Sequence, residues 1–169
     1  MKIAISDACI FIDLHELELT SELFYLELEI HTSIDVYNEL HSHQREVLKA
    51  FISISKLTVH KISEEERLAI FNSKLPKSLS ETDKTVLFLA AKLKAFVLSS
   101  DKTVRKSAKT QCIDYHGMLW ILDQLVDNSI LTKTQALEKL QYLISVNMIY
   151  QNNMELVIEL ERRVRLWKE

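Results

Sequence analysis

A single glycine, Gly117, and a single proline, Pro76, stand in a chain of 169 residues. With no Gly/Ser-rich or Pro-rich stretch there is no linker to separate domains, and most of the backbone is free to be helical. Cysteine is nearly as scarce. Cys9 and Cys112 lie in apolar surroundings without CxxC or Cys/His spacing, which speaks against structural zinc and reads as two buried thiols of a reducing compartment. Asp7 and Asp13 interrupt the apolar core that a signal peptide would need after Lys2, and no run approaches membrane-spanning length. A soluble, cytoplasmic protein with no membrane partner is expected. No internal repeat or low-complexity segment is visible.

What is present suffices for one domain that buries most of its apolar surface, with 47% hydrophobic residues. The net charge of −3 conceals an uneven distribution. From Asp13 to Glu29 there are six acids and no Lys or Arg, whereas from Lys84 to Lys109 seven basic residues accompany Asp101 alone. Two solvated helix faces of opposite sign account for this, although a polyanion would feel the second.

Residues 2 to 6 are apolar, brief and partly β-branched, as a buried strand is, and the spacing of Ile10, Phe11 and Leu14 then predicts a helix. Helices are expected over 20–28, 34–41 and 44–55, with short strands at 30–32 and 57–61. Ser63-Glu64-Glu65-Glu66 and Ser80-Glu81-Thr82-Asp83 match the capping box, so they open two further helices, the first ending near Lys74, on either side of a loop at 75–79. Ala95-Phe96-Val97-Leu98 reads as a strand, Lys102 to Thr110 as a basic helix, and Gln111 to Tyr115 as a last short strand. Helical periodicity over 118–126, 135–146 and 154–167 leaves the final third entirely α. Trp120 and Trp167 read as core or interface anchors, and His41-Ser42-His43 as side chains that diverge on a helix. Strands alternating with helices imply an α/β fold, a mostly parallel sheet with helices on both faces.

Open sheets of this kind bind ligands beyond the carboxyl ends of their strands. Two apolar strands end beside an acid, Asp7 and Asp101, and both acids therefore belong to one edge. Glu39 and Asp83 fall on other helices that follow a strand or a loop. Each acid has a second reading: Asp7 and Asp101 as N-caps, Asp83 as part of its capping box, Glu39 as an ordinary solvated residue. Gathered in one crevice they would repel, a pair ~4 Å apart costing on the order of a few kcal/mol at an effective dielectric near 20, which a divalent cation would relieve. An all-carboxylate site suits Mg²⁺ or Mn²⁺. Asp13 and Asp35 have no strand end behind them; Asp13 reads as the solvent side of its helix.

Together these motifs resemble the PIN-domain family, the metal-dependent nucleases that include VapC-type toxins. Ile5-Ser6-Asp7-Ala8-Cys9 resembles its first acid after strand one, and Val36-Tyr37-Asn38-Glu39 its helical Val-x-x-Glu. Asp83-Lys84-Thr85-Val86-Leu87-Phe88-Leu89-Ala90 is similar to its Asp-x-x-x-Leu-x-Leu-Ala, and Leu98-Ser99-Ser100-Asp101 to its hydroxyl-Asp pair. The resemblance spans roughly residues 2–125. It implies a three-layer α/β/α sandwich over residues 1–130, with a helical extension over 131–169 packed on the same domain or serving as an interface. It also implies that Asp7, Glu39, Asp83 and Asp101 form the catalytic set and hold Mg²⁺ or Mn²⁺, with Ser99 supporting Asp101. The activity implied is phosphodiester hydrolysis, most directly of RNA, with single-stranded DNA as the other substrate and a toxin-antitoxin pair as one setting. Lys84, Lys102, Arg105 and Lys106 would then neutralise phosphates, whereas Lys92 and Lys94 read as solvated helix ends. An antitoxin protein and a homodimer are the implied protein partners. Cys9 departs from the Ser, Thr or Asn often found there, which keeps in view a catalytically silent PIN module that binds nucleic acid or a partner protein. Haloacid-dehalogenase-like chemistry requires Asp-x-Asp after strand one, and Cys9 occupies the second position. A phospho-receiver pattern is not met.

Overall fold

The computed structural model describes residues 2–168. In chain order the elements are β1 (Lys2–Ser6), α1 (Ala8–Glu16), α2 (Thr20–Leu23), β2 (Leu28–Ser33), α3 (Ile34–Glu39), α4 (Ser42–Ser53), β3 (Leu57–His60) and α5 (Glu64–Phe71). There follow α6 (Glu81–Leu93), β4 (Phe96–Leu98), α7 (Lys102–Thr110), β5 (Tyr115–His116), α8 (Met118–Asp127), α9 (Lys133–Val146), α10 (Met148–Asn152) and α11 (Met154–Lys168).

The five strands form one all-parallel sheet in the order β3-β2-β1-β4-β5. β1 is central and covered on both faces, which is why Ala4 and Ile5 are fully buried. From β1 the chain builds outward through β2 and β3, then crosses to the other side with β4. The strand order therefore reverses between β1 and β4, whose carboxyl ends carry Asp7 and Ser99-Ser100-Asp101. A crevice at such a reversal is where α/β sheets place their sites.

Capping chemistry starts the helices where the sequence predicts. Ser63 and Glu66, and likewise Ser80 and Asp83, exchange side-chain to backbone hydrogen bonds, and Thr132 with Gln135 adds a third such box. α6 then lays Val86, Leu87, Leu89 and Ala90 into the core against β1, β2 and β4.

Some boundaries differ from expectation. The helix predicted over 20–28 is only Thr20–Leu23. Its apolar spacing continues, but Phe24 and Leu26 are buried in a turn that returns the chain to pair Leu28 with Lys2. α5 stops at Phe71 rather than near Lys74. The last strand is Tyr115–His116 rather than 111–115, because α7 ends in a turn with Cys112 at φ 56°. Cys112 is consequently exposed, and only Cys9 is partly buried. The rings of His41 and His43 stack 5.7 Å apart instead of diverging, since His41 precedes the helix with extended backbone.

The helical tail shares the buried cluster: Leu140, Leu143, Tyr150, Leu160 and Trp167 all belong to it. α10, which the sequence reading did not anticipate, contributes Tyr150. Arg163, 8% exposed, is the polar fastener. Its guanidinium grips both oxygens of Asp123 on α8 and bonds Glu159 one turn back on α11. Replacing it strands a half-buried carboxylate, so Arg163→Ala is expected to lower stability by about 2 kcal/mol, less than for a fully buried pair because Asp123 keeps some solvent. Urea denaturation with an unchanged slope would show it.

Candidate active site

Asp7 leaves β1 at the reversal point and caps α1, its Oδ1 accepting the Cys9 amide at 2.7 Å. Its own amide donates to Leu98 O at 3.0 Å, locking the strand end against β4. The Ser99 hydroxyl donates to Asp7 Oδ2 and accepts the Asp101 amide at 3.1 Å. Ser99, expected to support Asp101, meets it through the backbone amide and gives its own proton to Asp7. The reason is register: Ser6 pairs with Leu98, so the next residue on each strand stands side by side.

Asp7 is 5% exposed, and burial pushes its carboxyl above the usual range. The Ser99 and Cys9 hydrogen bonds pull it back down, while the charge on Asp83 raises it further. Asp7 and Asp83 are thus close enough to feel each other, a half-buried acid at the start of α6 facing a buried one at the end of β1.

The other two acids stand differently. Asp101 is exposed and its Oδ1 caps α7 through the Thr103 and Val104 amides, at 2.7 and 2.9 Å. Glu39 lies at the C-terminal end of α3 and is exposed. Among the described residues no group of three or more His, Cys, Asp or Glu is drawn together closely enough to hold a metal as the side chains stand.

Around the acids the carboxyl edge is lined with buried hydroxyls that the sequence reading passed over. Thr32 donates to Ser6 O at 2.8 Å, and Ser33 Oγ caps α3 through Val36 and lies 2.7 Å from Thr85 Oγ1. Ser33 at the end of β2 and Ser99 directly after β4 are the signal that could have found such groups, since a hydroxyl there accepts backbone amides without adding charge.

Asp13 was expected to face solvent and does not; it is 8% exposed. The tail covers it: Asn147 Nδ2 reaches its Oδ1 at 3.4 Å and the Tyr150 hydroxyl lies 3.5 Å from its Oδ2. Tyr150 OH also meets Ser100 Oγ at 3.2 Å, so one hydroxyl links α1, the β4 end and the tail. Burial raises the Asp13 carboxyl to about 6 and drives the Tyr150 phenol upward, so the phenol keeps its proton and donates it.

The basic residues divide as well. Lys84 is half-buried and pairs with Glu81 on its own helix. Lys102 and Lys106 are exposed on α7, and the Arg105 guanidinium lies 5.2 Å over the Tyr115 ring. Lys92 is tied to Glu66 at 2.6 Å, and Lys94 ends α6 in a left-handed conformation. Asp35 accepts both its bonds from Arg67 and serves to tie α3 to α5.

The family model described as DUF3368, PIN domain, matches residues 3–159. The chain belongs to the PIN-domain family. The PIN domain is in general a nuclease fold. Solved structures similar to this PIN domain include a domain of a functionally unknown protein from Methanocaldococcus jannaschii, 23% identical, covering 70% of this chain and 91% of that one with a TM-score of 0.47. Another is a PilT N-terminus domain protein from the archaeon Sulfolobus solfataricus, 14% identical, covering 74% and 92% with a TM-score of 0.42. No curated protein matches. No helix among the described residues is long and apolar enough to cross a membrane.

Because Asp13 holds its proton more tightly when folded than the ~3.9 of an unfolded Asp, its penalty is absent below pH 4 and grows as pH rises through 6. Asp7 shifts the same way. Asp13→Asn is therefore expected to stabilise the PIN domain at pH 8 by on the order of 2 kcal/mol and to change little at pH 4. Thermal melts in chelator across that range would read it, and equal effects at both ends would refute the assignment.

Proposed function

We propose that this PIN domain is a Mg²⁺- or Mn²⁺-dependent nuclease hydrolysing phosphodiester bonds of single-stranded nucleic acid, with RNA as the substrate that the VapC-type resemblance implies. The observation that carries this reading is the buried Asp7, raised by its surroundings and coupled to Asp83 at the reversal of the sheet. Two carboxylates in electrostatic contact, one of them desolvated, are relieved by a cation. The donors are hard oxygens, and Mg²⁺ typically keeps several waters while using one or two carboxylates, so Asp7 and Asp83 suffice to hold it. Bound there, the ion supplies Lewis acidity toward the phosphate and lowers the pKa of water.

The chain's own groups do the rest. Ser99 and the Cys9 amide fix the Asp7 carboxylate in one orientation. The Ser80 amide orients Asp83 in the same way. Asp101, exposed at the start of α7, and Glu39, exposed at the end of α3, would complete the set on the substrate side. Lys102, Arg105 and Lys106 neutralise backbone phosphates, while Lys84, held by Glu81, contributes charge rather than a contact. Exposed apolar side chains on the tail, Met148, Met154 and Ile158, support a protein partner there, an antitoxin or a second copy of the chain.

The exposure of Asp101 and Glu39 and the presence of Cys9 favour one alternative, a silent module that binds nucleic acid without cutting it. Manganese titration with melting decides first: saturation at a hundred times the dissociation constant is expected to stabilise the native chain by about 2.7 kcal/mol and Asp7→Asn by nothing. In the same preparation, RNA and single-stranded DNA are expected to be cut with Mn²⁺ or Mg²⁺ by the native chain and not by Asp7→Asn or Asp83→Asn. Cleavage that survives both substitutions, or that fails with either metal, overturns the nuclease reading.

A further inference from the structure

A cavity of about 230 Å³ opens beside the carboxyl edge, bordered by Ser100, Arg105, Tyr115, His116, Trp120 and Arg163 among others. Its lining runs from Ser100, just after β4, to Tyr115 and His116 of β5, so it lies on the β5 side of β4 while Asp7 follows β1 on the other. Adjacent strands lie about 4.8 Å apart, which puts β5 roughly 10 Å from β1 along the same edge. The cavity and the acids therefore share one rim but are separate places on it.

Its walls differ from the rest of the edge. His116 and Trp120 stack with centroids 4.2 Å apart at 14°, and Phe96 meets both edge-on, so the pair is held rigid from behind. Burial lowers the pKa of His116 and so favours the neutral imidazole in the stack. Arg105 lies over Tyr115 on the α7 side and has no ion pair among the described residues. Arg163, by contrast, is neutralised by Asp123 and Glu159. The space is thus bounded by flat, partly exposed aromatic groups with one uncompensated cation at the margin where the basic helix α7 begins its run of Lys102 and Lys106. A planar ring bearing a negative charge on one side is the ligand this suits, and base stacking on aromatic side chains with arginine nearby is a general mode of single-strand recognition.

We propose that this cavity seats a nucleobase of a single-stranded nucleic acid, against Trp120 and His116, with Arg105 taking the phosphate of the same nucleotide. The proposal rests on the nuclease reading for the polarity of the edge, and makes the seated base a neighbour of the nucleotide whose phosphodiester meets Asp7. It assigns to Trp120 a role beyond packing and gives the site a means of preferring certain bases beside the scissile bond.

The test separates binding from cutting. Asp7→Asn with Trp167→Phe leaves Trp120 as the sole tryptophan reporter. Mononucleotides AMP, GMP, CMP and UMP, and matched ten-residue RNA oligonucleotides, are titrated while its emission is followed. Expected are quenching that saturates and, by anisotropy of end-labelled oligonucleotides, which needs no tryptophan, affinity about tenfold weaker in Trp120→Leu. Arg105→Gln, a change at a half-buried residue outside the apolar core, is expected to weaken oligonucleotide binding severalfold and to flatten its salt dependence. Absence of quenching, or affinities of both variants within twofold of the parent, overturns the proposal. Because the background carries Asp7→Asn, binding with the expected losses stands even where the native chain fails to cleave, and cleavage without those losses refutes the base pocket alone.

Discussion

The hydrogen bond from Ser99 to Asp7 crosses the one place in the sheet where the strand order turns back on itself. Everything at the carboxyl edge is arranged about it. β1 and β4 must be neighbours, in a register that sets Ser6 against Leu98, before the two side chains can meet. Once they do, the buried carboxylate has its desolvation partly offset by the hydroxyl and by the Cys9 amide, and the Asp101 backbone is pinned through the same oxygen. A buried Asp without those donors would be a liability of several kcal/mol. With them it is a carboxylate held in one orientation, with the charge of Asp83 acting on it.

The tail is bound to this centre rather than appended to it. Tyr150 reaches Ser100 on one side and Asp13 on the other, and Arg163 fastens α11 to α8. Any slippage of α9 to α11 would uncover Asp13 and release Ser100, which adjoins Ser99 and lines the cavity at the ends of β4 and β5. The final helices therefore share the electrostatics of the edge, in keeping with a family match that continues to residue 159.

Local pattern made much of the fold legible. Two capping boxes, at Ser63 and Ser80, placed helix starts to the residue, because the signal there is a side chain bonding a backbone three positions on. The apolar runs at 2–6 and 95–98 announced the two central strands, and acids directly after them pointed to the same edge. The pattern failed where an apolar spacing was satisfied by a turn instead of a helix, at Phe24 and Leu26, and where a surface turn exposed Cys112. Of the four acids, only the coupling of Asp7 with Asp83 is visible in the electrostatics, while Glu39 and Asp101 keep their solvent.

From the sequence alone follow the alternation of strand and helix, the scarcity of breakers that keeps the chain in one piece, and the placing of carboxylates at strand ends. Those are properties of residues a few positions apart, which periodicity and capping encode. Tertiary structure alone decided that Ser99 serves Asp7 across 92 positions, and that Tyr150 lies over Asp13 across 137. No local period distinguishes a helical Asp facing solvent from one roofed by a distant tyrosine. The burial that raises Asp13 and Asp7 exists only when strand pairing and tail packing have excluded water from both.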